Sequence, residues 1–118
     1  MVMITVTFLV TENDVVEYAN ISGDFNPIHF DSKYAQQQGF SNKIVHGMLT
    51  MTKILSVLSS ELLKPQSLIK TYNLSFLHPM YAENQVTLHI LQQENKILLT
   101  GTAENITVVR GTIITGTL

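Results

Sequence analysis

Gly47-Met48-Leu49-Thr50-Met51-Thr52-Lys53-Ile54-Leu55-Ser56-Val57-Leu58-Ser59-Ser60-Glu61-Leu62-Leu63 is the stretch on which the fold turns. Met48, Met51, Leu55, Leu58 and Leu62 recur at alternating three- and four-residue steps, the period of an α-helix. Leu49 and Ile54 widen that stripe, and Lys53 and Glu61 are the only charges in the segment. A helix apolar around most of its girth is a buried one, so this segment predicts a long central helix stopped before Pro65.

C-terminal to it the pattern changes period. Leu68–Leu77, Gln85–Gln92, Ile97–Glu104 and Ile106–Thr117 are rich in Val, Ile, Leu and Thr. Turn residues separate them at Glu83-Asn84, Glu94-Asn95 and near Asn105, so they predict strands. On the N-terminal side, Met1–Val10 alternates through Thr5 and Thr7 and predicts a further strand. It has neither the basic start nor the small-residue cleavage site of a signal peptide. Thr11 with Asp14 three residues on predicts a helix start, Ser22-Gly23 its end, and Ser32–Gln38 a short helix stopped by Gly39. Helices first and strands after predict an α+β domain, an antiparallel sheet around one buried helix. The 118 residues suffice for a single domain over residues 1–118.

Composition removes several functions. Hydrophobic residues make up 45% of the chain and charged residues 14%, against ~25% charged in an average domain. This excludes long disorder and predicts that a second chain covers part of the surface. No apolar run reaches the ~20 residues of a membrane span. Seven Lys and Arg against nine Asp and Glu give a net charge of −2, with no basic stripe for a nucleic acid. There is no cysteine, hence no disulfide or thiolate nucleophile, which fits a reducing, cytoplasmic setting. No Gly-rich phosphate loop occurs, and His29, His46, His78 and His89 show no short metal-ligand spacing, so no metal is expected.

Three features can carry chemistry, of which the Met48 and Met51 stripe suits core filling far better than the lining of an acyl pocket. Gly23-Asp24-Phe25-Asn26-Pro27-Ile28-His29 places a carboxylate and an imidazole five residues apart on a loop that Pro27 stiffens and Asn26 can tie to its own backbone. Such a pair can share a water for acid–base work. The same residues also suit a plain turn in which Asp24 caps the backbone. In His46-Gly47-Met48, the first turn of the long helix offers free N–H groups, and Gly47 lets a ligand oxygen approach closely. It equally suits an ordinary glycine at a helix start, and His46 reads as structural.

Taken together, Tyr18-Ala19-Asn20-Ile21-Ser22-Gly23-Asp24-Phe25-Asn26-Pro27-Ile28-His29 with Ala35, then Ile44-Val45-His46-Gly47-Met48-Leu49, then Phe76-Leu77-His78-Pro79-Met80, resemble the MaoC-like (R)-specific enoyl-CoA hydratases and 3-hydroxyacyl thioester dehydratases. The resemblance implies a hot-dog fold, a long helix wrapped by a curved antiparallel sheet, dimerised through edge strands. It implies that Asp24 and His29 are the catalytic pair, that the Gly47 N–H is an oxyanion donor, and that Asn26 supports the loop. The implied activity is hydration of a trans-2-enoyl-CoA to the (R)-3-hydroxyacyl-CoA. The alternatives are a 3-hydroxyacyl-[acyl carrier protein] dehydratase, a non-catalytic acyl-binding subunit and, as a weaker third, a hot-dog thioesterase, distinguished by release of free thiol. No cofactor is implied beyond the coenzyme A or phosphopantetheine that carries the substrate. An acyl carrier protein, being acidic, would need a basic mouth, for which Lys33, Lys43, Lys53, Lys64 and Lys70 are candidates. Two departures stand out. Glu83-Asn84 replaces a more usual Gly-Asp, and Leu55 stands beside Ser56 where related enzymes place a small hydroxyl facing the site, which bears on pocket depth.

Overall fold

The computed structural model describes residues 1–117. Its elements are β1 (Val2–Phe8), α1 (Glu12–Ser22), a 3-10 turn (Pro27–His29), α2 (Ser32–Gln37), α3 (Gly47–Glu61), β2 (Ser67–Phe76), β3 (Val86–Gln93), β4 (Lys96–Ala103) and β5 (Ile106–Thr117). The five strands form one antiparallel sheet in the order β1-β3-β4-β5-β2. This is the hot-dog arrangement expected from the sequence, with α3 against the inner face of the sheet.

Alternation along the strands sets that face. Val86, Leu88 and Ile90 of β3, Ile97 and Leu99 of β4, and Val109 and Ile113 of β5 point inward and are buried with Ile54 and Leu58 of α3. A one-residue slip would turn each of these side chains to solvent, so burial fixes the register.

The helix buries its expected stripe except at Met48. Leu49, Thr50, Met51, Ile54 and Leu58 are buried, whereas Met48 is 55% exposed, in line with exposed Thr52 and Ser56. Apolar residues on nearly every side leave the buried face undetermined by spacing. The polar strip of Thr52, Ser56, Ser59 and Ser60 settles it, and Met48 falls on that strip's side. Leu55 packs against the core while Ser56 is exposed. The helix also ends at Glu61 rather than Leu63, with Leu62 as its C-cap, its N–H still returned to the Leu58 carbonyl.

The turns carry the expected residues. Glu83, Glu94, Glu104 and Asn105 have φ between 52 and 69. Glu83 gains from its side chain there: its Oε1 accepts the N–H of Glu12 at 2.9 Å, at the free N-terminus of α1. A glycine, easier in that conformation, could not do so.

Two glycines inside strands mark close approaches. A Cβ on Gly111 would lie 2.2 Å from the carbonyl oxygen of Asn73 and 2.9 Å from Leu74 Cα, both backbone atoms of the neighbouring strand. On Gly101 it would meet only side chains, Val109 Cγ1 at 2.6 Å and Leu88 Cδ2 at 3.2 Å. Side chains can shift and a paired strand cannot. Gly111→Ala is therefore expected to destabilise by about 3 kcal/mol or more and Gly101→Ala by about 1–3 kcal/mol, read by denaturant melts. Equal losses would contradict this ranking.

α1 is tied to α3 by charge. Thr11 and Asp14 form a reciprocal capping box, and Lys53 Nζ of α3 lies 2.9 Å from Asp14 Oδ2. The Thr11 N–H, opposed by desolvation but aided by Lys53, holds the Asp14 carboxyl below its ordinary value of 3.8. A carboxyl lowered on folding stabilises above its unfolded value and loses that contribution as pH falls through its folded one. Wild type should thus melt above Asp14→Asn at neutral pH, with the gap closing below about pH 4. A gap that stayed constant with pH would deny Asp14 this role.

Candidate active site

α1 ends at Gly23, whose left-handed φ of 79 lets its N–H return to the Ala19 carbonyl and turns the chain toward Asp24. The loop that follows is knotted by its own side chains. Ser22 Oγ accepts the Asp24 N–H at 3.1 Å, Asp24 Oδ1 accepts the Asn26 N–H at 3.2 Å, and Asn26 Oδ1 accepts the Ile28 N–H at 3.1 Å. Pro27 opens the short 3-10 turn that carries His29. Asn26 supports the loop as its sequence context predicts, and Asp24 caps it with one oxygen only. The two readings of the Asp24 turn therefore coexist: Oδ1 caps, and Oδ2 is left over.

Asp24 Oδ2 lies 3.8 Å from His29 Nε2. The other ring nitrogen, Nδ1, sits 2.8 Å from the Ile44 carbonyl oxygen. A carbonyl only accepts, so Nδ1 carries the proton and neutral His29 presents a lone pair at Nε2. Two acceptors then face each other across a gap too long for a direct hydrogen bond and short enough for one bridging molecule with two O–H donors. Water has that donor pattern. The His29 side chain is 10% exposed and Asp24 50% exposed, so one wall of the gap is buried and the other open.

The segment Ile44–Gly47 registers these groups against one another. The Ile44 N–H donates to the Ile28 carbonyl at 3.2 Å, and the Val45 N–H to the Met80 carbonyl at 2.7 Å. The next residue, His46, lies buried at 3% exposure beneath the pair. Its Nε2 is 3.0 Å from the Asp24 carbonyl oxygen and therefore carries a proton, and its ring stacks on that of His29 with centroids 3.7 Å apart. Gly47 follows as the first residue of α3. His46 forms no side-chain cap, and the Gly47 N–H has no acceptor among the described residues. A Cβ on Gly47 would meet only Phe76, at 4.0 Å.

Beside Gly47 runs a mainly apolar groove of about 320 Å³, bounded by Phe40, Val45, Thr50, Phe76 and Leu77. A smaller cavity of about 140 Å³ reaches His29 between Val15, Val16 and Tyr81. The two share Ile44 and Val45 as a wall.

Asp24, His29 and His46, separated by five and seventeen residues, bring possible ligand atoms within 4.8 Å of one another, which their sequence spacing did not indicate. They do not suit zinc as arranged. A metal must lie in the plane of each imidazole that binds it, and two rings stacked 24° from parallel cannot share such a point. Of the lysines named from sequence, Lys43 lines the smaller cavity and is paired with Glu12, and Lys53 is paired with Asp14, each at 2.9 Å. His46 as a link within the site, and the Ile44 carbonyl as the group that sets the His29 tautomer, were not legible in the sequence. A main-chain acceptor leaves no residue-type signal.

Comparison with known proteins places the chain among relatives. A family model described as MaoC like domain matches residues 2–114. The mitochondrial 3-hydroxyacyl-[acyl-carrier-protein] dehydratase of Arabidopsis thaliana is 32% identical over 80 residues, 68% of this chain and 47% of that protein. The (R)-specific enoyl-CoA hydratase of Aeromonas caviae is 34% identical over 77 residues, 65% of this chain and 58% of that protein. The matched stretch thus spans about half the length of these relatives. In three dimensions, the (R)-hydratase from A. caviae involved in PHA biosynthesis superposes with a TM-score of 0.84 over 99% of this chain and 95% of that one, at 23% identity. The ChsH1-ChsH2 complex from Mycobacterium tuberculosis gives a TM-score of 0.80 over 99% and 96%, at 21% identity. At such identities the structural likeness speaks for the fold alone.

Proposed function

Because this chain belongs to the MaoC-like domain family, we propose that it adds water reversibly across a trans-2-enoyl thioester to give the (R)-3-hydroxyacyl thioester. The observation that carries this reading is the 3.8 Å gap between two acceptors, Asp24 Oδ2 and His29 Nε2. The thioester carbonyl accepts the Gly47 N–H, which polarises the conjugated double bond toward an enolate. The bridged water gives its oxygen to Cβ and one proton to the pair, while the π electrons move onto the thioester oxygen. As the enolate collapses, the pair returns a proton to Cα. The net change is one H and one OH added, and the reverse sequence is dehydration. No oxidant, metal or redox cofactor enters, because the substrate's own conjugation holds the charge.

Coenzyme A is the favoured carrier. A phosphopantetheine-borne substrate, and thus a 3-hydroxyacyl-[acyl carrier protein] dehydratase, is the second reading, supported by the Arabidopsis relative's name. A non-catalytic acyl-binding subunit would have no need of Asp24, His29 and the open Gly47 together. A homodimer is proposed on the apolar residues left exposed at the β2 edge and beside the site, Tyr72, Phe76, Phe25 and Met48. The chain has no cysteine, in keeping with the cytoplasm. No helix among the described residues is long and apolar enough to cross a membrane.

The test is to add crotonyl-CoA and the matching acyl carrier protein thioester in parallel and follow loss of enoyl absorbance, with chiral analysis of the product. Faster turnover of crotonyl-CoA to the (R)-3-hydroxy product is expected. Release of free thiol, formation of the (S)-product, or tight binding of both substrates without turnover would overturn the reading.

A further inference from the structure

We propose that His46 is a positioning residue, which sets the separation of Asp24 and His29 while leaving its own Nδ1 without a partner among the described residues. The inference rests on the proposed hydration chemistry for its kinetic arm only.

Three observations converge on this side chain. Its Nε2–H holds the Asp24 carbonyl at 3.0 Å, which anchors the main chain of the residue whose carboxylate must face His29. Its ring is the surface on which the His29 ring rests, at 3.7 Å, and it is itself braced edge-on by Tyr18 at 4.8 Å and by Phe30 at 6.3 Å. It also immediately precedes Gly47, so the residue that fixes the acid–base pair sits one peptide bond from the amide offered to the substrate's oxygen. One side chain thus touches both members of the pair and belongs to the segment that carries the third group.

The fourth observation separates this role from core filling. His46 Nδ1 is buried with no hydrogen-bond partner among the described residues. Because Nε2 carries the proton, neutral His46 holds a bare lone pair there. A buried acceptor left unmade weakens a fold. Phenylalanine would fill the same space without that defect, so packing alone gives no reason for an imidazole. The Nε2–H to Asp24 does. Residues kept against stability are what a working site is expected to contain.

His46→Phe keeps a ring beneath His29 and removes the Nε2–H. His46→Gln keeps an amide donor at about the same reach and removes the ring. For His46→Phe we expect kcat on crotonyl-CoA to fall by about tenfold to a hundredfold, as for a misplacement of up to ~1 Å. KM should stay within about twofold, and the melting temperature should equal or exceed that of wild type. His46→Gln should recover part of kcat. A fall in melting temperature that accompanies the loss of kcat, an unchanged kcat in His46→Phe, or failure of both variants to fold would each assign His46 to the core instead.

Side-chain 15N NMR of the histidines supplies a readout independent of turnover. Wild type should show His46 as the Nε2–H tautomer and His29 as the Nδ1–H tautomer, and His46→Phe should shift the His29 Nε2 resonance. A wild-type protein inactive on every enoyl thioester but with these spectra would sink the hydratase reading and leave the positioning intact. Fixed tautomers with an unmoved His29 resonance would do the reverse.

Discussion

Asp24→Asn and His29→Ala are each expected to lower kcat for enoyl-thioester hydration by about 10²–10⁴-fold, the range for a positioned acid–base group. The reason is donor counting. A carboxylate accepts only, and His29 accepts at Nε2 because the Ile44 carbonyl has already claimed its Nδ1 proton. Water donates to both and turns a lone pair toward Cβ. An asparagine amide at position 24 can aim N–H groups into the gap, where they oppose the water's own donors, and alanine at position 29 removes one wall. Asp24→Asn leaves the core untouched, and His29→Ala costs the Ile44 carbonyl its Nδ1–H and uncovers the His46 ring but lies outside the main core cluster. Asp24 is half exposed, and the Asn26 N–H can still be accepted by the amide oxygen of an asparagine. Both variants should therefore fold, and the double variant should lose much less than the product of the two single losses, because the pair acts as a unit. Near-wild-type kcat in either folded single variant would end the assignment.

The second large effect is expected from Gly47→Pro. Proline suits the first position of a helix, where the N–H has no intrahelical acceptor, and His46 already has φ −56 and ψ 132, as a residue before proline requires. The nearest atom to a new Cβ is Phe76 Cε2 at 4.0 Å, ordinary contact. The substitution removes the N–H and puts the ring Cδ in its place while α3 keeps its start. Loss of a single oxyanion donor is worth about 10²–10³ in kcat. Gly47→Ala, which keeps the N–H, is the control and should stay within about tenfold of wild type. If proline and alanine behave alike, the amide does not meet the developing charge.

The sequence made some parts of this site legible and left others hidden, for physical reasons. Local rules were sufficient where a few neighbouring residues decide the outcome. Thr11 and Asp14 form their capping box, Gly23 takes the left-handed turn, and Glu94-Asn95 joins β3 to β4. The Asp24–His29 loop belongs to this class, because the side chains of Asp24 and Asn26 accept the N–H groups of Asn26 and Ile28 within five residues. Long-range facts were not legible. The exposure of Met48 on α3 was signalled only by the polar strip of Thr52, Ser56, Ser59 and Ser60, which the wide apolar surface around it masks. The link from His46 to Asp24 spans twenty-two residues and ends on a carbonyl, which every residue possesses. The ion pairs of Lys43 with Glu12 and of Lys53 with Asp14 likewise depend on partners brought in by the fold.

A crystal structure of the protein with (R)-3-hydroxybutyryl-CoA bound tests the central claim most directly. The 3-hydroxyl oxygen stands where the attacking water stood, so it should lie within hydrogen-bond distance of both Asp24 Oδ2 and His29 Nε2, with the thioester oxygen about 3 Å from the Gly47 nitrogen. A hydroxyl that contacts neither side chain, or a thioester carbonyl turned away from Gly47, would contradict the account.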